Sequence, residues 1–244
     1  IKKMLATRVD WWFAYTELSR DSLVHLSFPP DRISVVQNSI DTKSLSNAVD
    51  SVGNTGIQRL TEELGITKNN VCIFIGGMYP EKWLDFLLRS CEIIKRNVPD
   101  FKMLFIGSGP EEYKVKKAAA ENPWIRYVGP VYGAERAPYL AMSKASLMPG
   151  LVGLGIIDSF VAKVPIFTTD NQIHSPEIKY LENHVNGVVT AASENAFAGA
   201  VVEYLKSDTL QTTLKQGCSR SAKEYTLENM VNRFAEGITR ALSI

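Results

Sequence analysis

The stretch "VCIFIGGMYPEKWLDFLLRSCEIIKRNVPDFKMLFIGSG", residues 71–109, changes its hydrophobic period twice. "VCIFIGG" is a continuous apolar run of strand length. In "EKWLDFLLRSCEIIKRN" the apolar residues Leu84, Leu87, Leu88, Cys91 and Ile94 recur at helical spacing. "KMLFIGSG" is a second apolar strand. Runs without polar alternation suit strands covered on both faces, the situation of a parallel sheet.

The same alternation continues on both sides. "PEEYKVKKAAAEN" reads as a helix opened by Pro110 and two glutamates, which complement the partial positive charge of a helix start. "IRYVG", "ASLMP", "VPIFTT" and "GVVT" read as strands. "AERAPYLAMS", "GLGIIDSFVAK" and the short "SPEIKYLEN" read as the helices between them, and Ser175 is a candidate N-cap for the last of these. Toward the N-terminus, "DWWFAYT" and "RISVVQ" are strand-like, and "ELSRDSLVHLSF" between them is helical up to Pro29-Pro30. Residues 38–56, "NSIDTKSLSNAVDSVGNTG", are polar and Gly/Ser/Asn-rich and read as a linker. From about Glu194 the chain is helical, with Thr226 able to cap the last helix. Strands alternating with helices predict an α/β doubly wound parallel sheet, and place a ligand crevice at the carboxyl ends of its strands.

Bulk properties narrow the function classes. The 244 residues are 45% hydrophobic and 22% charged, with a net charge of +1, so composition gives no electrostatic case for a nucleic-acid partner. Cys72, Cys91 and Cys218 are scattered, as reduced thiols of a cytosolic protein are, rather than paired for a disulfide frame. No second histidine stands at ligand spacing from His174, so no metal site is expected. The chain opens "IKKML", with no initiator Met or signal-peptide pattern, and reads as a fragment lacking its N-terminal part.

The crevice rule turns attention to the βα loops. "GGMYPEK" brings Gly76, Gly77 and Lys82 to a helix start, where main-chain amides and a lysine can meet an anion. "GSGP" brings Gly107, and "YVGPVYG" brings Val131, against whose backbone a flat base could lie. Taken alone, the first two of these loops read first as plain turns, and the third reads equally well as one. "PGLVGLGIIDSF", residues 149–160, is more informative. Gly150, Gly153 and Leu154 lead into a helix whose first turns carry Asp158 among Ile156, Ile157, Phe160 and Val161. A carboxylate in that setting suits the paired hydroxyls of a ribose better than it suits solvent. His174 follows in the loop facing the same crevice. No Gly-x-Gly-x-x-Gly opens the first βα unit, which argues against a nicotinamide cofactor.

Taken in order, these loops resemble the C-terminal, donor-binding half of the large retaining glycosyltransferase family with the GT-B fold. "IGGMYPEKWLDFLL", "LFIGSGPE", "GLGIIDSFVAKVPIFTTD" and Pro176-Glu177 carry the likeness, and Asn38-Ser39-Ile40-Asp41 is similar to the family's interdomain crossing. The resemblance implies a Rossmann-like domain over 41–225, the tail of an N-terminal acceptor domain over 1–40, and a C-terminal helix over 226–244. It implies a nucleotide-diphosphate sugar as substrate and no cofactor. The acceptor would be a glycan or lipid-linked molecule met by the absent domain. It also implies a role in polysaccharide biosynthesis and a cytoplasmic location, with the full-length protein peripheral at the inner membrane face. Gly76, Gly77, Lys82, Gly107, Val131, Gly150, Gly153, Leu154, Asp158 and His174 are the implied donor-binding residues.

Three positions depart from the family. Two glutamates eight positions apart are its hallmark; Asp158 matches the second, which holds the ribose, and Gly150 stands at the first. Lys82 matches the basic loop's lysine, but Gly77 stands where its arginine would be. Lys163 replaces a helix-ending glycine. Gly77 and Gly150 support one rival, a non-catalytic nucleotide-sugar-binding module; a second rival is a nucleotide-sugar epimerase of similar fold.

Overall fold

The computed structural model describes residues 6–66 and 70–243. Near the N-terminus, β1 (Trp12–Ala14) and β2 (Ile33–Val35) pair in parallel, joined by α1 (Glu17–His25). The main sheet has six parallel strands: β3 (Asn70–Ile75), β4 (Phe101–Ile106), β5 (Ile125–Gly129), β6 (Ala145–Leu147), β7 (Ile166–Thr169) and β8 (Gly187–Thr190). Their order is β5-β4-β3-β6-β7-β8. The chain therefore winds outward from β3 to β5, returns beside β3, and winds the other way.

That reversal fixes where the helices go. Right-handed crossovers put α4 (Leu84–Asn97) and α5 (Glu112–Glu121) on one face, and α6 (Ala137–Met142) and α7 (Gly155–Ala162) on the other. Between β7 and β8 the expected helix is a short 3-10 segment, Pro176–Tyr180, and Ser175 makes no side-chain cap. Three helices close the chain: α8 (Glu194–Lys206) beside α4, α9 (Asp208–Glu224) against α7 and β8, and α10 (Leu227–Ala241). The Thr226 side chain caps α10 by accepting from the Asn229 amide at 3.1 Å. Cys72 and Cys91 lie in the core between sheet and helix, and Cys218 is buried in α9; all three are free thiols.

The linker expectation is overturned. Residues 38–56 contain α2 (Thr42–Ser51) and the start of α3 (Asn54–Leu64). Asp41 caps α2, its carboxylate accepting from the Ser44 amide. Leu45, Ala48, Val49 and Val52 recur at helical spacing and pack on the core. The polar residues that suggested a linker occupy the solvent side of an amphipathic helix.

The last helix crosses back to the small sheet. Phe234 on α10 stacks on Phe13 of β1 with ring centroids 4.3 Å apart, and Arg240 donates to Ser34 of β2. Tyr180 donates to the Asn38 carbonyl at 3.0 Å, and the Asn38 amide donates to the buried Glu177 at 2.9 Å. The 12–38 region is thereby tied to the last helix and to the 3-10 segment after β7.

Lys163 ends α7 in the left-handed conformation, with φ of 57°, and its amide and that of Val164 close the last turn onto Phe160 and Ser159. This geometry explains a glycine at that position: an L-residue there carries a steric cost of about 1–2 kcal/mol. Lys163 is exposed. We expect Lys163→Gly to raise the urea midpoint at unchanged slope by about 1 kcal/mol of stability. A lower midpoint would show that the lysine contributes more than its strain removes.

Candidate functional site

A cleft of about 600 Å³ opens at the carboxyl ends of β3, β4, β5 and β6, where the strand order reverses. Its floor is main chain. Gly107 has φ of +132°, and a Cβ there would lie 1.9 Å from the Gly76 carbonyl oxygen, so only glycine lets the loops after β3 and β4 touch. The Gly76 amide donates to Ile106 and the Met78 amide to Ser108, extending the strand pairing past the sheet.

Of the residues singled out in the sequence, the structure brings Gly76, Gly77, Lys82, Gly107, Val131, Gly153, Leu154 and Asp158 to this cleft. Gly150 and His174 lie behind its wall. Gly150 is buried against the turn at 80–83: a Cβ would stand 2.1 Å from the Glu81 carbonyl oxygen and 2.7 Å from the Lys82 carbonyl carbon. The Leu151 amide donates to that same Glu81 oxygen at 2.8 Å. Position 150 thus has no room for a glutamate in this arrangement, and the glycine has a steric reason independent of catalysis.

His174 acts through the loop. Its Nδ1 accepts from the Val152 amide at 3.1 Å, which leaves the proton on Nε2, directed at the Thr169 carbonyl at 2.8 Å. Thr169 and Asn171 both donate to the Pro149 carbonyl. The residues after β7 therefore fix 149–152 from outside, and this segment in turn holds Lys82, whose Nζ donates to the Leu151 carbonyl at 2.6 Å. Burial lowers the pKa of Lys82, with Glu81 acting weakly the other way.

Asp158 is buried in the first turns of α7, and its partner is Arg136. The guanidinium Nη1 donates to Oδ2 and Nη2 lies 3.4 Å from Oδ1. Burial raises the Asp158 carboxyl above its ordinary value, and Arg136 offsets part of that rise. Arg136 itself comes from the 3-10 turn Gly133–Arg136 after β5, anchored by its Nε to the Gly133 carbonyl at 3.1 Å. The residue reading missed Arg136, along with Tyr79, Ser108 and Tyr132 in the cleft wall. The available signal was Asp158 itself, because a carboxylate among apolar residues requires a cation or several donors.

Gly150→Ala should cost about 1–3 kcal/mol, because the methyl meets backbone that cannot rotate away. Equal stability of variant and parent in urea would show that the 80–83 turn yields freely. His174 gives a pH test. Its pKa lies below 6.5, chiefly through burial; the Thr169 carbonyl opposes this, and Lys82 adds to it. The unfolded chain then takes up a proton that the folded chain resists, so the stability tied to neutral His174 is intact above the usual histidine value and declines as pH falls below it. His174→Asn should flatten the stability profile between about pH 7.5 and 5.5. Parallel profiles for parent and variant would exclude this contribution.

The family model for glycosyl transferases group 1 matches residues 69–207. A phosphatidyl-myo-inositol mannosyltransferase of Mycobacterium leprae is 23% identical over 195 residues, 78% of this chain and 49% of the relative. This chain thus spans about half the length of that relative. Anabaena HepE in complex with UDP superposes with a TM-score of 0.78 at 15% identity, over 96% of this chain and 65% of HepE. A glycosyltransferase from Rickettsia africae superposes with a TM-score of 0.80 at 14% identity, over 98% of this chain and 66% of its own. These likenesses bear out the α/β doubly wound sheet as that of the GT-B glycosyltransferases. With the family match spanning more than half of its residues, the chain belongs to the glycosyl transferases group 1 family.

Proposed function

We propose that this chain is the donor-binding half of a retaining glycosyltransferase and that its cleft takes a nucleoside-diphosphate sugar. The observation that carries this reading is the combination of Lys82 and Asp158 around a glycine-built floor at the strand reversal. The base would lie between the loops after β4 and β5, against Gly107 and Val131. The ribose diol would face Asp158. The diphosphate would face Lys82 and the first amides of α7, which favour negative charge. In transfer, the bond between the sugar's anomeric carbon and the diphosphate oxygen breaks and its electron pair leaves with the diphosphate, while an acceptor hydroxyl oxygen bonds to that carbon and its proton passes to the departing diphosphate oxygen. Lys82 and the loop amides are placed to stabilise that charge.

The acceptor would be supplied by parts of the full-length protein outside this chain. The relative named as a phosphatidyl-myo-inositol mannosyltransferase supports a hexose donor and a lipid-linked acceptor, which accords with a peripheral place at the cytoplasmic membrane face. No helix among the described residues is long and apolar enough to cross a membrane. This chain alone would bind donor and fail at transfer. The packing of Gly150 favours one second reading, a non-catalytic nucleotide-sugar-binding module, since no carboxylate can enter at that position. Turnover by the full-length protein separates the two.

Calorimetry with UDP, GDP and ADP against their nucleosides tests the cleft. Lys82→Ala should cost the preferred diphosphate about 1.5–3 kcal/mol and the nucleoside little. Equal losses would remove the lysine from the phosphate site. Gly77 lies outside the positive-φ region that favours glycine, and the nearest atoms its Cβ would meet belong to the ring of Tyr79, an exposed side chain that can turn aside. Gly77→Arg should therefore be tolerated and should tighten diphosphate binding.

A further inference from the structure

Among the described residues, the cleft wall carries two cations, Lys82 and Arg136, and one carboxylate, Asp158. Arg136 and Asp158 neutralise each other, which leaves Lys82 alone to face an incoming diphosphate of two or more negative charges. The pair also forms part of the wall of a neighbouring cavity of about 460 Å³ bounded by Ile40, Asp41, Ser44 and Leu45. The guanidinium therefore stands at a junction, with open space on both sides. The Asp158 side chain is only 7% exposed, whereas that of Arg136 is 23% exposed.

We propose that Arg136 is the second cation of the diphosphate site and that Asp158 is its resting place in the empty cleft. This rests on the nucleoside-diphosphate reading above. When donor enters, the two ribose hydroxyls replace the guanidinium as hydrogen-bond donors to Asp158, and Arg136 turns to the diphosphate. The burial of Asp158 imposes the exchange. A buried carboxylate cannot be left without donors, so the arginine departs only when hydroxyls arrive. The guanidinium fork, in turn, matches phosphate oxygens in a bidentate way that the point charge of Lys82 does not.

The exchange closes only for a ligand that carries both a vicinal diol and a diphosphate. A nucleoside competes with Arg136 for Asp158 and brings the displaced guanidinium no phosphate in exchange. Pyrophosphate draws Arg136 away and strands the carboxylate. Recognition of the two groups is therefore positively coupled, and each half alone binds more weakly than its contacts would allow.

The test is calorimetry on the intact chain with UDP, GDP, ADP, the matching nucleosides and inorganic pyrophosphate. Asp158→Asn keeps the side-chain shape and releases Arg136, so pyrophosphate should bind roughly tenfold tighter than to the parent while the preferred nucleoside diphosphate binds more weakly. Arg136→Ala should weaken the diphosphate roughly tenfold and leave the nucleoside as tight or tighter. Should Arg136→Ala lose its native circular dichroism, Arg136→Lys, which keeps the charge and loses the fork, should show the same contrast in smaller degree. Unchanged pyrophosphate affinity in folded Asp158→Asn overturns the exchange, as do equal losses for nucleoside and diphosphate in the Arg136 variants. A parent chain that binds none of the diphosphates overturns the underlying donor reading as well, which distinguishes the two failures.

Discussion

The cleft depends on contact between loop backbones. The loop after β4 lies on the loop after β3 through Gly107, and the loop after β6 lies on the 80–83 turn through Gly150. Both contacts are closer than any side chain would permit. The floor is consequently built from amides and carbonyls whose positions are set by the strands beneath them. Side chains enter from the rim, and the charged ones among the described residues are few: Lys82 from the turn before α4, Arg136 from the turn before α6, and Asp158 from α7.

From this constraint follows the role of residues that never reach the cleft. A loop held by main-chain contact on one side needs support on the other. Thr169, Asn171 and His174 give it by hydrogen bonding to Pro149 and Val152. His174 faces this crevice loop, as its sequence position suggests, but presents its ring to the loop's outer side. Its effect on any bound phosphate passes through Val152, Leu151 and the Lys82 ammonium that Leu151 holds.

The strands were legible because they are buried on both faces. β3 and β4 are nearly continuous apolar runs, β6 and β7 are buried throughout although they carry Ser146, Thr168 and Thr169, and such runs have few alternatives once helices of clear period separate them. The α2–α3 segment was illegible for the opposite reason. Its buried stripe is narrow, and Ser, Asn and Asp fill its exposed side, so composition outweighed period. The cleft was half legible. Glycine loops and Asp158 are local signals, whereas Arg136 is 22 residues from its partner and follows an ordinary turn. The glycine at 150 was visible as a departure, but its cause is a contact with the distant 81–82 backbone.

The Arg136–Asp158 pair is also hard to account for as a stabilising device. Desolvating two charges costs nearly as much as their attraction returns, and an apolar pair of similar volume would serve folding as well or better. The surroundings are apolar already: Ile156, Ile157, Phe160 and Val161 on the same helix are buried. A leucine at 158 would suit them. Folding alone thus gives no reason for the charges, while their position does. Each faces open cleft, each can find another partner there, and the buried carboxylate cannot give up the guanidinium until other donors arrive. An ion pair with this property holds the empty site against ligands that would satisfy only one of its members.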